Sequence, residues 1–157
     1  MILKNAHLPA LRKRYLNKKI VVGSGVFDLL HVGHLSYLQS LKNYGDIVVV
    51  IVKPDARVKA YKHNSRPIIP EQDRARMVDS IKGVDYVVIG SNNIIEKADV
   101  MYKKVFELLK PDAYVTSNEE WGRLQEITDA KVHVLPREQV GRFKSTTAVI
   151  EHIKKID

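Results

Sequence analysis

Five short apolar runs, at residues 19–23, 47–52, 86–89, 113–116 and 131–135, alternate along the chain with stretches of helical spacing. A strand with one wet face alternates apolar and polar residues. These runs do not, so they predict strands buried on both sides. Burial on both sides requires helices above and below the sheet, and strands separated by helices pair in parallel through crossovers. The expected fold is α/β, a parallel sheet with helices on both faces. A length of 157 residues suits one continuous domain over 1–157, with residues 1–18 as an N-terminal helical extension carrying the amphipathic segment 8–16.

Turn chemistry delimits the helices. Pro70 with Glu71 and Asp73 makes a favourable first turn and Gly83 a stop, so a helix is expected over 70–82 with Met77, Val78 and Ile81 facing the core. A second should run over 96–109 and end before Pro111, and a third should start at Ser145 or Thr146 and turn Val149, Ile150 and Ile153 inward. Residues 54–69 read as one long loop holding Arg57, Lys59, Lys62, His63 and Arg66, and long loops in small domains are often functional.

The absence of cysteine removes disulfides, thiolate nucleophiles and cysteine-based metal sites. No run reaches the roughly 18 apolar residues that a membrane span needs, and Lys4, Arg12, Lys13 and Arg14 interrupt the N-terminus where a signal peptide would be apolar. A cytoplasmic protein with no membrane partner is expected. The net charge of +8 favours an anionic partner, which charge alone leaves open between nucleic acid, an acidic membrane surface and a phosphorylated small molecule.

The chemistry concentrates at His31-Val32-Gly33-His34, where the first apolar run gives way to a helix marked by Leu35, Leu38 and Leu41. Unpaired backbone N–H groups at a helix start attract anions, and Gly33 has no Cβ to hold a phosphate away. Residues three apart share a helix face, so both imidazoles can point at one phosphate. A dinucleotide fingerprint fails because Asp28 stands where its third glycine belongs, and no Walker-type Gly-Lys-Ser/Thr occurs. Asp28 could join the two histidines around zinc, but histidine–metal motifs usually space their ligands differently, and no metal site is assigned. Asp28 itself reads as a turn or helix cap.

Ligands of open α/β sheets bind beyond the carboxyl ends of the strands. Four clusters fall at that edge, namely 24–34, 53–66, 116–121 and 137–147, and most of their polar residues are cationic or hydroxylic. That composition suits a triphosphate, because transfer at phosphorus is catalysed mainly by positioning and charge neutralisation.

The string Gly25-Val26-Phe27-Asp28-Leu29-Leu30-His31-Val32-Gly33-His34 resembles the signature of the cytidylyltransferase-like nucleotidyltransferases. Arg66-Pro67-Ile68-Ile69-Pro70 with Arg74 and Val84-Asp85-Tyr86-Val87-Val88 is similar to their second block, and Ser145-Thr146-Thr147 to their third. Leu11-Arg12 and Lys18-Lys19-Ile20-Val21 are similar to the lead-in of the adenylyltransferase domain of bacterial ADP-heptose synthase.

The resemblance implies a Rossmann-like sheet of nucleotidyltransferase type and transfer of a nucleoside monophosphate to a phosphorylated acceptor, with Mg²⁺ accompanying the triphosphate and pyrophosphate leaving. It implies that His31, His34 and Lys59 or Lys62 act on the reacting phosphates. Ser24, Gly25, Val26, Phe27, Gly33, Arg74, Ser145 and Thr146 would bind the nucleotide, although Phe27 alone reads as core. Asp55, Thr116, Ser117 and Trp121 would face the acceptor, with stacking and core packing both open for Trp121.

Two departures bear on substrate choice. The heptose enzymes carry Val-Lys-Gly-Gly-Asp-Tyr where this chain has Val115-Thr116-Ser117-Asn118-Glu119-Glu120-Trp121, and Gly141-Arg142-Phe143-Lys144-Ser145 is longer than their Gly-Arg-Ser. AMP transfer to a sugar 1-phosphate is the leading expectation. CMP transfer to glycerol 3-phosphate and AMP transfer to FMN are alternatives within the class. A non-catalytic RNA-binding module is the alternative outside it, disfavoured because basic patches interleaved with exposed aromatics are not evident. A homodimer is compatible with the class, but no residue marks its interface.

Overall fold

The computed structural model describes residues 1–62, 65–93, 97–136 and 145–156. Six strands form one parallel sheet: β1 Ile2–Leu3, β2 Ile20–Gly25, β3 Ile47–Val52, β4 Tyr86–Ile89, β5 Ala113–Thr116 and β6 Lys131–Val134, in the spatial order β1-β4-β3-β2-β5-β6. Every pairing is parallel, with Ile20 opposite Ile47 and Gly25 opposite Val52 at the two ends of the central pair. The helices are α1 Leu8–Arg14, α2 Val32–Ser40, α3 Asp55–Lys62, α4 Glu71–Asp79, α5 Ala98–Leu109 and α6 Thr146–Ile153.

The runs at β2 to β5 become strands packed on both faces, whereas β6 stands at the edge of the sheet with Lys131 and Val134 exposed and Val132 and His133 only partly buried. On one face Ile20, Val22, Val49, Ile51 and Val88 meet Leu8 and Leu11 of α1 and Met101, Tyr102, Val105 and Leu109 of α5. On the other, Val21, Val48, Val50, Val52 and Val87 meet Leu38 of α2 and Ala75 and Val78 of α4. Successive residues of β3 thus feed opposite cores, which is why the run has no polar position. Among the described residues no helix is long and apolar enough to cross a membrane.

The expected segments shift in three places. Residues 1–18 hold an edge strand, β1, besides the helix; two residues are too few to show a period, and the strand is held where the Met1 ammonium bonds Asp79 and the Asp85 carbonyl. Helix α4 ends at Asp79, short of Lys82. Residues 54–69 are not one loop, because α3 occupies Asp55–Lys62. Glu96, the expected start of α5, and His63 lie outside the described residues, as does the stretch 137–144 of the last edge cluster. Helix α5 stops at Lys110, whose φ of 47° is left-handed, just before Pro111.

The sheet order reverses at β2: β3 lies on one side of it and β5 on the other. That topological switch opens a crevice at the carboxyl end of β2, and the chain leaves β2 there through residues 26–31.

Candidate active site

Two non-glycine residues of the loop between β2 and α2, Phe27 and Leu29, hold left-handed backbone at φ 56° and 49°. Such positions cost on the order of 1 kcal/mol each and persist only when their surroundings fix them. Asp28, between them, is buried and accepts from Ile68 N at 3.1 Å, Ile69 N at 3.0 Å and Arg66 Nε at 2.8 Å. Its own carbonyl accepts from the Thr146 hydroxyl. Asp28 therefore ties the loop to residues 66–69 and does not cap α2, whose N-terminus carries no side-chain cap.

Below the loop, Arg74 is fully buried and donates to Ile69 O at 2.8 Å, to Lys53 O at 2.9 Å and to Val26 O, while pairing with Asp55 at 2.5 Å. A guanidinium with its fork spent on three carbonyls and a carboxylate joins β2, β3 and α4 at their site ends.

This scaffold holds the imidazoles of His31 and His34 with ring centroids 3.9 Å apart and planes at 32°. The Phe27 ring presses edgewise on His34 at 5.5 Å. Nδ1 of each histidine is buried, and neither has a hydrogen-bond partner among the described residues. Burial lowers the pKa of His31. Burial first, then His31, then Lys62 lower His34 to about 4, against a smaller opposing pull from Asp28. Both rings are neutral at pH 7 without ligand. Polar groups buried and left unpaired carry an energetic cost that a hydrogen-bonding ligand can remove.

The histidines open onto a cavity of about 550 Å³. The start of α2 supplies His31, Gly33 and His34, and α3 supplies Lys62. The start of α6 supplies Ser145, Thr146 and Thr147, and Ser117 follows β5. Ser145 caps α6, its Oγ accepting from Ala148 N at 3.2 Å. Two helix N-termini and a lysine thus face one space, an arrangement electrostatically suited to a polyanion.

Of the residues singled out in the sequence, His31, Gly33, His34, Lys62, Ser117, Ser145 and Thr146 line this cavity. Others do not reach it. Arg74 is a structural clasp with no face toward a phosphate. Ser24 is consumed by a buried hydroxyl network, 2.9 Å from the Tyr102 hydroxyl and 2.8 Å from that of Tyr114. Gly25 and Phe27 pack on each other, since a Cβ at Gly25 would lie 2.6 Å from the Phe27 ring, and Val26 spends its carbonyl on Arg74. Asp55 pairs with Arg74. Thr116 is buried, its hydroxyl accepting from Asn118 N at 3.1 Å. Lys59 is exposed on α3 away from the cavity lining. Trp121 packs beside Tyr102, ring centroids 4.9 Å apart, and carries Lys53 and Arg123 within 4.4 and 5.1 Å of its own centroid.

The cavity also takes in Ser36, Tyr37, Ser40 and Tyr44 from α2 and the turn that follows. Their spacing from Gly33 places them on one helix face, and that period is the signal in the sequence that marks them. Tyr37 does structural work as well, accepting from Ser24 N at 3.0 Å and donating to Val115 O at 2.7 Å across the reversal point of the sheet. Among the described residues no cluster of three or more His, Asp and Glu side chains could hold a metal ion.

The family model described as cytidylyltransferase-like matches residues 22–152. The bifunctional protein HldE of a Nitratiruptor species is 39% identical over 144 residues, which cover 92% of this chain and 29% of that protein. HldE of Helicobacter pylori (strain HPAG1) is 39% identical over 142 residues, covering 88% of this chain and 28% of the relative. The chain therefore spans less than a third of the length of these relatives. Among solved structures, the lipopolysaccharide core biosynthesis protein of Thermoplasma volcanium GSS1 superposes with a TM-score of 0.59 at 29% identity, over 77% of this chain and 99% of that one. The pantoate-beta-alanine ligase of Francisella tularensis shares the fold, with a TM-score of 0.61 at 17% identity over 99% of this chain and 77% of the ligase.

Proposed function

The chain belongs to the cytidylyltransferase-like family and is a nucleotidyltransferase, and on that premise we propose that it transfers AMP from ATP to a sugar 1-phosphate, giving a nucleotide sugar and pyrophosphate. The observation that carries this reading is the convergence of His31, His34, Lys62 and the first turn of α6 on one cavity.

In the proposed reaction an oxygen of the acceptor phosphate attacks the α-phosphorus in line. The new O–Pα bond forms as the bond from Pα to the bridging oxygen of the β-phosphate breaks, and the electron pair leaves with pyrophosphate. A phosphate monoester with a second pKa near 6 is already mostly dianionic at neutral pH, so the attack needs no strong general base. His31 and His34 act as hydrogen-bond donors to the α- and β-phosphate oxygens. Because burial keeps both rings neutral in the free protein, with His31 and Lys62 adding to the effect at His34, the incoming polyanion raises their pKa and draws protons onto the rings as charge builds on the leaving group. Ser145 and Thr147 at the start of α6 receive the outer phosphates. Magnesium, when bound with the triphosphate, supplies neutralising charge for the pyrophosphate.

Preference for adenine and for a sugar 1-phosphate rests on overall similarity to the HldE proteins. The acidic-then-Trp sequence Glu119-Glu120-Trp121 is similar to the Gly-Asp-Asp-Trp of glycerol-3-phosphate cytidylyltransferases, without its glycine, and this makes CTP with glycerol 3-phosphate the second reading. The test is magnesium-dependent pyrophosphate release with ATP and CTP, each crossed against heptose 1-phosphate, hexose 1-phosphates, glycerol 3-phosphate and FMN. Release with ATP and a sugar 1-phosphate is expected. Release only with CTP and glycerol 3-phosphate would replace this substrate pair.

A further inference from the structure

Helix α6 is expected from its spacing to turn Val149, Ile150 and Ile153 inward, and it does so only in part. Val149 and Ile150 are half-buried, Ile153 is 55% exposed, and none of the three joins either of the two cores that the described residues form on the faces of the sheet. A helix of eight residues is too short to persist on its own hydrogen bonds. With so little of its length packed on those cores, its position depends on its first turn.

That turn is joined to the histidine loop through a side chain. Thr146, the first residue of α6, is buried, and its hydroxyl donates to the Asp28 carbonyl. Asp28 cannot follow a drifting helix, because its carboxylate is gripped by Ile68 N, Ile69 N and Arg66 Nε and its neighbours Phe27 and Leu29 hold left-handed backbone. Three residues further on, His31 begins the histidine pair. The Thr146–Asp28 bond therefore sets where the N–H groups at the start of α6 stand relative to the imidazoles.

A hydroxyl carries one hydrogen, and the ionised oxygens of a triphosphate only accept. Thr146 has given its hydrogen to Asp28 and has none for a phosphate. Ser145 differs, because its Oγ accepts from Ala148 N at 3.2 Å and keeps its own hydrogen to donate. Neighbouring hydroxyls of one turn thus have different work.

We propose that Thr146 is a positioning residue, a pin that registers the first turn of α6 on Asp28 so that Ser145 and Thr147 meet the same triphosphate as His31 and His34. The identity of that ligand rests on the nucleotidyl-transfer reading, whereas the pin is a property of the ligand-free protein. The string Ser145-Thr146-Thr147 does not separate its three hydroxyls, since only the fold brings Asp28, 118 residues away in the chain, to the middle one.

The test combines hydrogen exchange of the ligand-free full chain with calorimetric binding of a non-hydrolysable, methylene-bridged analogue of ATP with magnesium, in wild type, Thr146→Val, Thr146→Ser and Thr147→Val. Valine keeps the β-branch, so helix propensity barely changes at either position. The amides read are those of α6 from Val149 onward, the first of which bonds Ser145 O at 3.1 Å. T146V should speed their exchange about three- to tenfold with β3 amides unaltered, and should weaken analogue binding by a similar factor, because affinity follows the fraction of molecules whose α6 is in place. T146S, which keeps the hydroxyl, should stay within about twofold of wild type in both. T147V should weaken binding and leave exchange in α6 at the wild-type rate. In turnover T146V should raise KM for the triphosphate while KM for the acceptor stays within about twofold. Weaker binding by T146V with unchanged exchange in α6 would overturn the pin in favour of a direct phosphate contact, and faster exchange with unchanged binding would overturn its part in the site. Acceleration that spreads to β3 would overturn it as well, since that marks a general loosening of the fold. The expected T146V pattern in exchange and binding, without pyrophosphate release by wild type for any substrate pair, would uphold the pin and remove the proposed reaction instead.

Discussion

Replacing His34 by glutamine should make the protein less sensitive to acid, because the native ring is held neutral and the unfolded ring is not. The folded-state pKa is pushed down from 6.5 to about 4, chiefly by burial, with His31 and Lys62 adding repulsion. Between those values the unfolded chain binds more protons than the native one, so stability is complete above pH 6.5 and falls as pH drops toward 4. At pH 5 the unfolded imidazole is almost fully protonated and the folded one about a tenth, which integrates to about 2 kcal/mol of lost stability relative to pH 8. Water at the cavity mouth screens part of this, so a measured value of about 1–2 kcal/mol is expected. The assay is urea unfolding of wild type and H34Q at pH 8 and pH 5, compared as a double difference so that pH-independent effects of the substitution cancel. The pH-dependent loss should be larger in wild type by that amount. Parallel pH profiles for the two proteins would show that His34 is not held neutral, and would refute the account of how its ring is loaded for phosphate.

Arg74→Lys keeps the charge but not the fork that bonds Ile69, Lys53 and Val26 carbonyls, and should cost about 3 kcal/mol in thermal or urea unfolding; a stable variant with raised KM for the triphosphate would instead restore a phosphate contact to Arg74. Tyr37→Phe strips the hydroxyl from Ser24 N and Val115 O and should destabilise by about 1–3 kcal/mol, with faster hydrogen exchange at the Ser24 amide. Unchanged exchange there would mean that water or a shifted strand replaces the bond.

What is legible in the sequence depends on where the information sits. Strands β2 to β5 can be read because burial on both faces leaves a nearly unbroken apolar run, whereas β6 is an edge strand with Lys131 and Val134 exposed and β1 is two residues long and owes its place to the Met1 ammonium. Helix α3 is hidden because it lacks an apolar stripe: it buries Val58 together with Arg57, whose charge is absorbed by the carbonyls of Ser91 and Asn93. The histidine pair and the start of α6 are local motifs and are read directly. The choice between Lys59 and Lys62 is not, because only the packing of α3 decides which of two lysines three residues apart turns toward His34. Motif grounds point Arg74 at phosphate, yet its acceptors come from the ends of β2 and β3, from Asp55 at the start of α3 and from the segment before α4, and only the folded arrangement reveals that they engage four of its five donors.

The central claim is that the cavity over His31 and His34 is where a nucleotide α-phosphate is transferred. Label in the α-phosphate of ATP, incubated with magnesium, a sugar 1-phosphate and the full chain, should appear in a product resistant to phosphatase, with label from the γ-phosphate recovered only in pyrophosphate. His34→Ala, folded at pH 8, should slow the α-label transfer about a hundredfold or more. Transfer by the folded variant at the wild-type rate would contradict the claim.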